Sequence, residues 1–443
     1  MVYRRLFFLG DSRSIAYFFK NCYEELIVIF LIIGIAFVLL VLGFEMFLVL
    51  GVPVLLIQDT FFTSMPSAAI IQKLVGGINH STLLAIPFFI LTAELMVAGE
   101  SAKRLTTLVQ SLVGHWIGGI GHTTIGGAMA FGSVSGSAPA TVTAIGKIMF
   151  PELRAAGFRD SFSLGLIISS AEVALLIPPS ITLIIYGWIT GTSITALFIA
   201  SLGVGVILGL AFSILVFVEC LYRAERRPLT SHIPVLAALR SATWALGLPF
   251  IILGGIYSGF FTATEAAVVS VVYALAIESI VYRTLTLKRL VMIIECGAIL
   301  TSVIFILLAM GSVVSYFVAL LQLPDILLTF LDEIGADLVL FLFILNICFF
   351  IAGMFIDPNS ALLILVPSLS PVAFALGIDP VHLGVIVTLN ICIGMITPPF
   401  GLDIFAAAST LEQSVVKVIS GVWPFIVVNI LVLMLVTYVP LMV

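Results

Sequence analysis

Apolar residues run along this chain in blocks long enough to cross a bilayer, and the informative positions are those where polar or helix-breaking residues interrupt them. The block 26–62 is punctuated at Gly43, Phe44 and Glu45, which predicts two short spans in place of one long one. Further spans are predicted at about 82–97, 244–257, 266–282 and 291–320, with Lys103 and Arg104 opening a loop after the first of these. Two other interruptions differ in kind. Ser135, Gly136, Ser137 and Pro139 break one apolar region, and Asp357, Pro358, Asn359 and Ser360 break another. Lipid satisfies no freed N–H or C=O group, so irregular backbone at bilayer depth is tolerated only inside protein or beside water. Each interruption therefore reads as the tip of a re-entrant helical hairpin near the midplane. Downstream, Pro178-Pro179 and Pro398-Pro399 each break the next helix, because proline removes a donor and clashes with the carbonyl one turn back.

These interruptions are related to one another. Pro151, Ala155, Gly157, Pro178 and Pro179 recur without gaps, 220 positions later, as Pro371, Ala375, Gly377, Pro398 and Pro399. Prolines placed at random in two such 60-residue windows would coincide roughly 0.4 times, and three coincide, which favours a duplication. At the same offset, the break at Gly43 to Glu45 corresponds to one expected around Ala263, Thr264 and Glu265. Repeats broken by Gly and Pro at matching places are the signature of secondary transporters whose site lies between the halves. Two hairpin tips facing two broken helices present bare helix ends. Their N-termini suit an anion, and their free carbonyls suit a hard cation such as sodium.

Composition fixes the class: 443 residues, 62% hydrophobic and 9% charged, describe a polytopic all-α membrane protein. The net charge of -5 sits in connecting loops, and no nucleic-acid face is expected. Cys22, Cys220, Cys296, Cys348 and Cys392 are scattered and read as packing residues, neither a disulfide framework nor a metal site. Histidines 80, 115, 122, 232 and 382 lack zinc-binding spacing and read as loop or interface residues. No small-residue cleavage site follows the first apolar run, so a cleaved signal peptide is not expected.

Charge then orients the chain. Arg223, Arg226, Arg227 and Arg240, and after them Arg283, Lys288 and Arg289, mark cytoplasmic loops. Asp325, Asp332, Glu333 and Asp337, with no Lys or Arg among them, suit the far side. The first hairpin, flanked by Lys103, Arg104, Lys147, Arg154 and Arg159, opens to the cytoplasm; the second, flanked by the acidic segment, Asp379 and His382, opens outward. The two repeats are thus inverted. Symmetry places the N-terminus outside, whereas Arg4, Arg5, Arg13 and Lys20 argue for inside, and its side stays open. The chain divides into an N-terminal interfacial segment (1–25), scaffold helices of repeat 1 (26–99) and the transport part of repeat 1 (100–218). A cytoplasmic loop with scaffold helices of repeat 2 (219–321) and the transport part of repeat 2 (322–443) follow.

The strings LLAIPFFILTAELM (83–96), LVGHWIGGIGH (112–122), FGSVSGSAPATVTAIG (131–146), IPPS (177–180), GMFIDP (353–358) and GVIVTLNICIGMITPPFGLDIF (384–405) carry a resemblance. From about Gly51 to the C-terminus, the chain resembles the large membrane subunit of tripartite ATP-independent periplasmic (TRAP) transporters, the DctM/SiaM-like permeases. The resemblance implies an elevator fold of the ion-transporter-superfamily type and a sodium-coupled importer of a carboxylate-bearing or similar organic anion. It further implies a small four-helix membrane subunit and a periplasmic substrate-binding protein as partners, in the bacterial inner membrane. Carried over residue by residue, Ser133, Ser135, Gly136, Ser137, Thr141 and Ile177 resemble a first sodium site, and Asp357, Pro358, Asn359, Ser360, Gly394 and Thr397 a second. Ser135, Ser137, Pro139, Ser180, Asn390, Pro399 and Gly401 would meet the substrate. The chain departs from the family pattern at Glu172, where small residues are expected.

Alternatives stand beside these roles. The small residues at the tips either form a site or only let backbones approach. Asp357 either ligates a cation or caps a helix. Glu172 is a gate, a proton or cation ligand, or the partner of a basic residue, and Asp403 is either site or cap. Asn390 either meets substrate or bonds a neighbouring backbone. Rival functions are a stand-alone sodium/anion symporter, an intramembrane enzyme and an assembly scaffold; no serine and histidine pair or membrane aspartate pair supports an enzyme.

Overall fold

The computed structural model describes residues 31–32, 34–62, 65–222 and 234–439. The segment 1–25 with its four basic residues and Cys22 lies outside the described residues, as do Arg223, Arg226, Arg227 and His232. The described residues form only helices and their connections, and eight helices are long and apolar enough to cross a membrane.

A helical stretch ends at residue 41, Gly43 turns the chain at φ +77°, and α1 (Met46–Phe61) begins behind Glu45. There follow α2 (Ser67–Ile78), α3 (Ala85–Ala98), α4 (Ser101–Val113), α5 (Gly119–Ser135), α6 (Ala138–Ala155), α7 (Asp160–Glu172), α8 (Ile181–Thr190) and α9 (Ile194–Tyr222). The second half holds α10 (Val235–Tyr257), α11 (Ala263–Ala276), α12 (Leu287–Leu320), α13 (Leu323–Glu333), α14 (Leu338–Phe355), α15 (Pro358–Ala375), α16 (Pro380–Ile396), α17 (Leu402–Thr410) and α18 (Val415–Tyr438). Local chemistry sets many of these boundaries. The carboxylates of Asp337, Asp357 and Asp379 accept from N–H groups in the first turns of α14, α15 and α16, which have no intrahelical partner.

The helices gather into an outer and an inner set. In the outer set α3 lies between α11 and α12, with Thr92 and Ser270 hydroxyls 2.8 Å apart, while α1 and α2 lean on α12. At about 1.5 Å per residue, the 34 residues of α12 make a strut roughly 50 Å long, more than a hydrocarbon core needs. The inner set is α5 to α9 with α14 to α18, and its centre holds Phe131, Tyr186, Phe198, Phe212, Phe349 and Phe425 without exposed surface. There α7 and α18 cross backbone to backbone: a Cβ on Gly165 would stand 2.1 Å from the Gly421 carbonyl oxygen.

Several expectations need correction. Lys103 and Arg104 lie on a helix, α4, and not in a loop; Ala102, Leu105 and Leu108 bury one face while Arg104 stacks 4.2 Å from the centroid of the Tyr282 ring. The acidic segment between Gln322 and Asp337 likewise contains α13, and α2 was not foreseen. The break expected around Ala263 to Glu265 falls just upstream, because Thr262 and Glu265 form a capping box that starts α11. Cys220 and Cys392 are buried as packing residues would be, but Cys348 is half-buried and Cys296 is exposed on α12.

Candidate transport site

Both predicted interruptions are breaks between helices. In the first hairpin α5 ends at Ser135, Gly136 takes φ +56°, and Ser137 is the extended residue before α6. Only glycine adopts that left-handed conformation without strain, and space forbids anything larger: a Cβ on Gly136 would stand 2.3 Å from the Pro179 carbonyl oxygen. The tip is thus seated on the proline turn of its own half. In that turn α7 ends at Glu172, a short 3-10 turn covers Val173–Leu175, and a cis Pro178-Pro179 bond leads to Ser180, whose hydroxyl accepts from Leu183 N–H. Residues Ile177 to Ser180 are buried.

The second hairpin repeats the layout with different chemistry. Here α14 ends at Phe355 and α15 starts at Pro358, with Asp357 Oδ2 accepting from the Asn359 and Ser360 N–H groups at 3.1 and 3.2 Å. Gly353 touches Gly394 backbone to backbone, and the Phe355 and Phe400 rings lie 5.8 Å apart, so this tip too meets the proline turn of its own half. That turn runs from Thr397 through cis Pro398-Pro399 to Gly401. Pro399 and Phe400 are exposed, whereas the corresponding residues of the first half are buried.

The halves also interlock reciprocally. The descending arm of the first hairpin, α6, packs on α17, where Thr143 and Thr410 hydroxyls lie 3.4 Å apart. The descending arm of the second, α15, packs on α8. At the centre Cys392 Sγ donates to the Glu172 carbonyl at 3.6 Å, and these two residues are themselves 220 positions apart.

The predicted site residues fall into distinct surroundings. Around the first tip, Ser135 and Thr141 hydroxyls are 3.1 Å apart, Thr141 also donates to the Ser137 carbonyl at 2.8 Å, and Ser133 donates to the Ala130 carbonyl. Ser137 and Pro139 are half-buried at the tip. Around the second tip, Asp357 Oδ1 and Ser360 Oγ are buried without a hydrogen-bond partner, and Thr397 donates to the Ile393 carbonyl. Asn390 stands apart from both tips in its bonding: its Nδ2 donates to Asn346 Oδ1 at 2.7 Å and to the Ile386 carbonyl at 2.9 Å. Glu172 and Asp403 have no exposed surface; Glu172 Oε1 accepts from Asn429 Nδ2, and neither Asp403 oxygen has a partner.

Asn346 and Asn429 escaped the sequence reading. Each is a lone amide inside an apolar span (LFILNICFF and VVNILVL), and an isolated polar residue at membrane depth is itself a signal of a buried partner.

The geometry has counterparts among known proteins. The family described as "Tripartite ATP-independent periplasmic transporter, DctM component" matches residues 33–442. The ectoine TRAP transporter large permease TeaC of Halomonas elongata is 41% identical over 88% of this chain and 91% of its own length. The sialic acid TRAP transporter large permease SiaM of Vibrio cholerae is 38% identical over 83% and 87%. The C4-dicarboxylate TRAP transporter large permease DctM of Pseudomonas aeruginosa is 36% identical over 83% and 86%. Among solved structures, the Alcanivorax borkumensis YdaH transporter superposes with a TM-score of 0.54 over 83% of this chain and 86% of its own, at 13% identity, which is a likeness of fold.

Proposed function

The chain belongs to the DctM family of tripartite ATP-independent periplasmic transporters, and from that premise we propose a sodium-coupled permease that imports a carboxylate-bearing organic solute by an elevator movement. The observation that carries the reading is the reciprocal seating of the hairpins. Each tip rests on the proline turn of its own half while each descending arm packs on the post-proline helix of the other. Two backbone breaks are thereby brought into the protein interior, where bare helix ends are tolerated and useful. The contact between Cys392 and Glu172 supports two inverted repeats, because residues related by a twofold axis touch where that axis passes.

In this reading one sodium ion takes carbonyl and hydroxyl oxygens of Ser133, Ser135, Gly136, Ser137, Thr141 and Ile177, and the second those of Asp357, Pro358, Asn359, Ser360, Gly394 and Thr397. Substrate lies between, against Ser135, Ser137, Pro139, Ser180, Pro399 and Gly401, with Asn390 behind them. The unpaired Asp357 Oδ1 and Ser360 Oγ support the second ion site. The exposed Pro399 and Phe400 beside a buried first turn support a cavity open on one side. The outer set of helices, with α12 as its strut, serves as the fixed scaffold. Partners are a small four-helix membrane subunit and a periplasmic substrate-binding protein, in a bacterial inner membrane. Relatives named for ectoine, sialic acid and C4-dicarboxylates share a carboxylate group, which sets the substrate class. Coupling requires the ions to prefer the substrate-competent state, because equal affinity for both states would shift nothing.

Uptake of radiolabelled ectoine, succinate and sialic acid into proteoliposomes tests this, with the small subunit and the binding protein present or omitted and sodium replaced by potassium. Sodium-dependent accumulation that needs both partners is expected for one of these carboxylate solutes. Uptake that persists without the binding protein, or is equal in potassium, would overturn the assignment.

A further inference from the structure

The transport reading leaves two buried carboxylates unused. Glu172 ends α7 and Asp403 sits in the first turn of α17; both have no exposed surface, and their two helices pack against each other. Several of the polar atoms of this group are left without partners. Glu172 Oε2, both Asp403 carboxyl oxygens and the Oδ1 of Asn429 are buried without a hydrogen-bond partner. Asn429 also has no exposed surface, and its amide faces Glu172 with Nδ2 donating to Oε1.

Among the described residues, no Lys or Arg forms an ion pair with them. Among the described residues, the elements packed on α7 and α17 carry Lys147, Glu152 and Arg154 on α6, His122 on α5, His382 and Cys392 on α16, Glu219, Cys220 and Tyr222 on α9, and Lys417 and Tyr438 on α18. Lys417 and Arg154 are engaged with Asp160 at the far end of α7. His122 and His382 are engaged with the Ile117 and Val436 carbonyls. Lys147 is exposed on α6, and Cys392 meets Glu172 through a bond from its Sγ to the Glu172 carbonyl. Two buried anions without a countercharge are costly, which favours a neutral form for at least one of them. A transition-metal ion is a poor match, since no group of three or more His, Cys, Asp or Glu side chains fit to hold one is present among the described residues. A proton requires no added room. Asn429 suits both protonation states, since an amide that turns over donates to a carboxylate through Nδ2 and accepts from a carboxylic acid through Oδ1.

We propose that Glu172 and Asp403, backed by Asn429, form a proton-exchanging pair inside the moving domain, adding a pH-sensitive step to the sodium-driven cycle. The proposal rests on the transport reading for its consequence but not for its first test. A proton arriving from water forms an O–H bond on a carboxyl oxygen of the pair, and the same proton leaves to water when the pair is next opened.

The test is infrared spectroscopy of the full chain in liposomes, following the protonated-carboxyl C=O stretch as bulk pH is varied in H2O and D2O. A carboxyl band that titrates and shifts in D2O is expected, with loss of most of its amplitude in both Glu172→Gln and Asp403→Asn. A wild-type band that neither titrates nor exchanges, or a titrating band that survives in both variants, would overturn the proposal. Should those variants fail to fold, Asn429→Ala leaves both carboxyls in place and must move the band; an unmoved band would also overturn it. Sodium-dependent uptake in the same vesicles separates the two ideas: uptake without a titrating band sinks only the pair, and the band without uptake sinks only the transport assignment.

Discussion

The helix that leads into the first hairpin is capped by a single buried carboxylate, and removing it has a calculable cost. Helix α4 has no side-chain cap of its own at Glu100. Glu278, in the π-helical turn Ile277–Val281 after α11, supplies one from a distant part of the chain. Its Oε2 accepts from Glu100 N–H at 3.1 Å and Thr284 Oγ1 at 2.7 Å; its Oε1 accepts from Ser101 N–H at 3.1 Å and Ser101 Oγ at 2.5 Å. A negative charge at a helix N-terminus is also favoured by the helix dipole. Glu278→Ala strands two backbone donors that cannot turn round, and losing one side of a buried charged network costs about 3–5 kcal/mol. Glu278→Gln keeps one accepting oxygen but sets an NH2 group against a backbone N–H, because only the Ser101 and Thr284 hydroxyls can reverse. Its cost is about 1–3 kcal/mol. The carboxylate occupies the space beside Gly99, where a Cβ would stand 2.1 Å from Glu278 Cδ. Gly99→Ala therefore attacks the same bonds, and the double variant Gly99→Ala/Glu278→Ala should fall short of additivity by about 2 kcal/mol. The assay is equilibrium unfolding of the purified chain in mixed micelles of rising SDS fraction, read by tryptophan fluorescence. Both single variants within about 0.5 kcal/mol of wild type, or a fully additive cycle, would refute the reasoning.

Three further outcomes follow from the same geometry. Gly136→Ala forces a Cβ at φ +56° into the Pro179 carbonyl; it should cost about 1–2 kcal/mol in strain alone and abolish sodium-dependent uptake while the chain still inserts, which uptake and membrane-fraction immunoblots would show. Gly421→Ala would place its Cβ 1.8 Å from the Ser161 carbonyl oxygen at the α7–α18 crossing, and unfolding in SDS should register a loss of about 1–3 kcal/mol. At the loop end of α7, the hydrogen bond from Lys417 holds the Asp160 carboxyl below its usual range, helped by the charges of Lys417 and Arg154. Because the folded value is the lower one, this link stabilises above the unfolded carboxyl range and is lost as pH falls through the depressed value; acid unfolding curves of wild type and Asp160→Asn should converge at low pH.

What the sequence disclosed was whatever depends on backbone chemistry. Gly136, Pro139, Asp357 and Pro358 announce helix breaks because their conformations and missing donors are intrinsic, and the breaks fall where those residues stand. The helices α2, α4 and α13 were less legible, since their mixed composition resembles loop and their order comes from one face laid against α12, α10 or α15. Partnerships across the chain were not legible at all. Nothing near Glu278 in the sequence points to Ser101, and nothing near Glu172 points to Asn429, because each pair meets only after folding. The one available hint was a polar residue without a local reason to be there.

Asp357 is where the two roles left open by the sequence can be pulled apart. Its Oδ2 caps α15 through two N–H groups, while its Oδ1 is buried and unpaired. A cap uses one oxygen and tolerates neutrality: Asn ranks with Asp as an N-cap, and a loss of the cap altogether to Ala costs only about 0.5–2 kcal/mol. A carboxylate that ligates sodium contributes through its charge. Asp357→Asn should therefore fold and insert as wild type does, yet raise the sodium concentration for half-maximal uptake about tenfold, which corresponds to roughly 1.4 kcal/mol of ion binding. Asp357→Ala should lose both the cap and the ion. If Asn at this position leaves the sodium dependence unchanged and Ala only weakens the fold, the carboxylate is a cap and the second ion must be held by carbonyls alone.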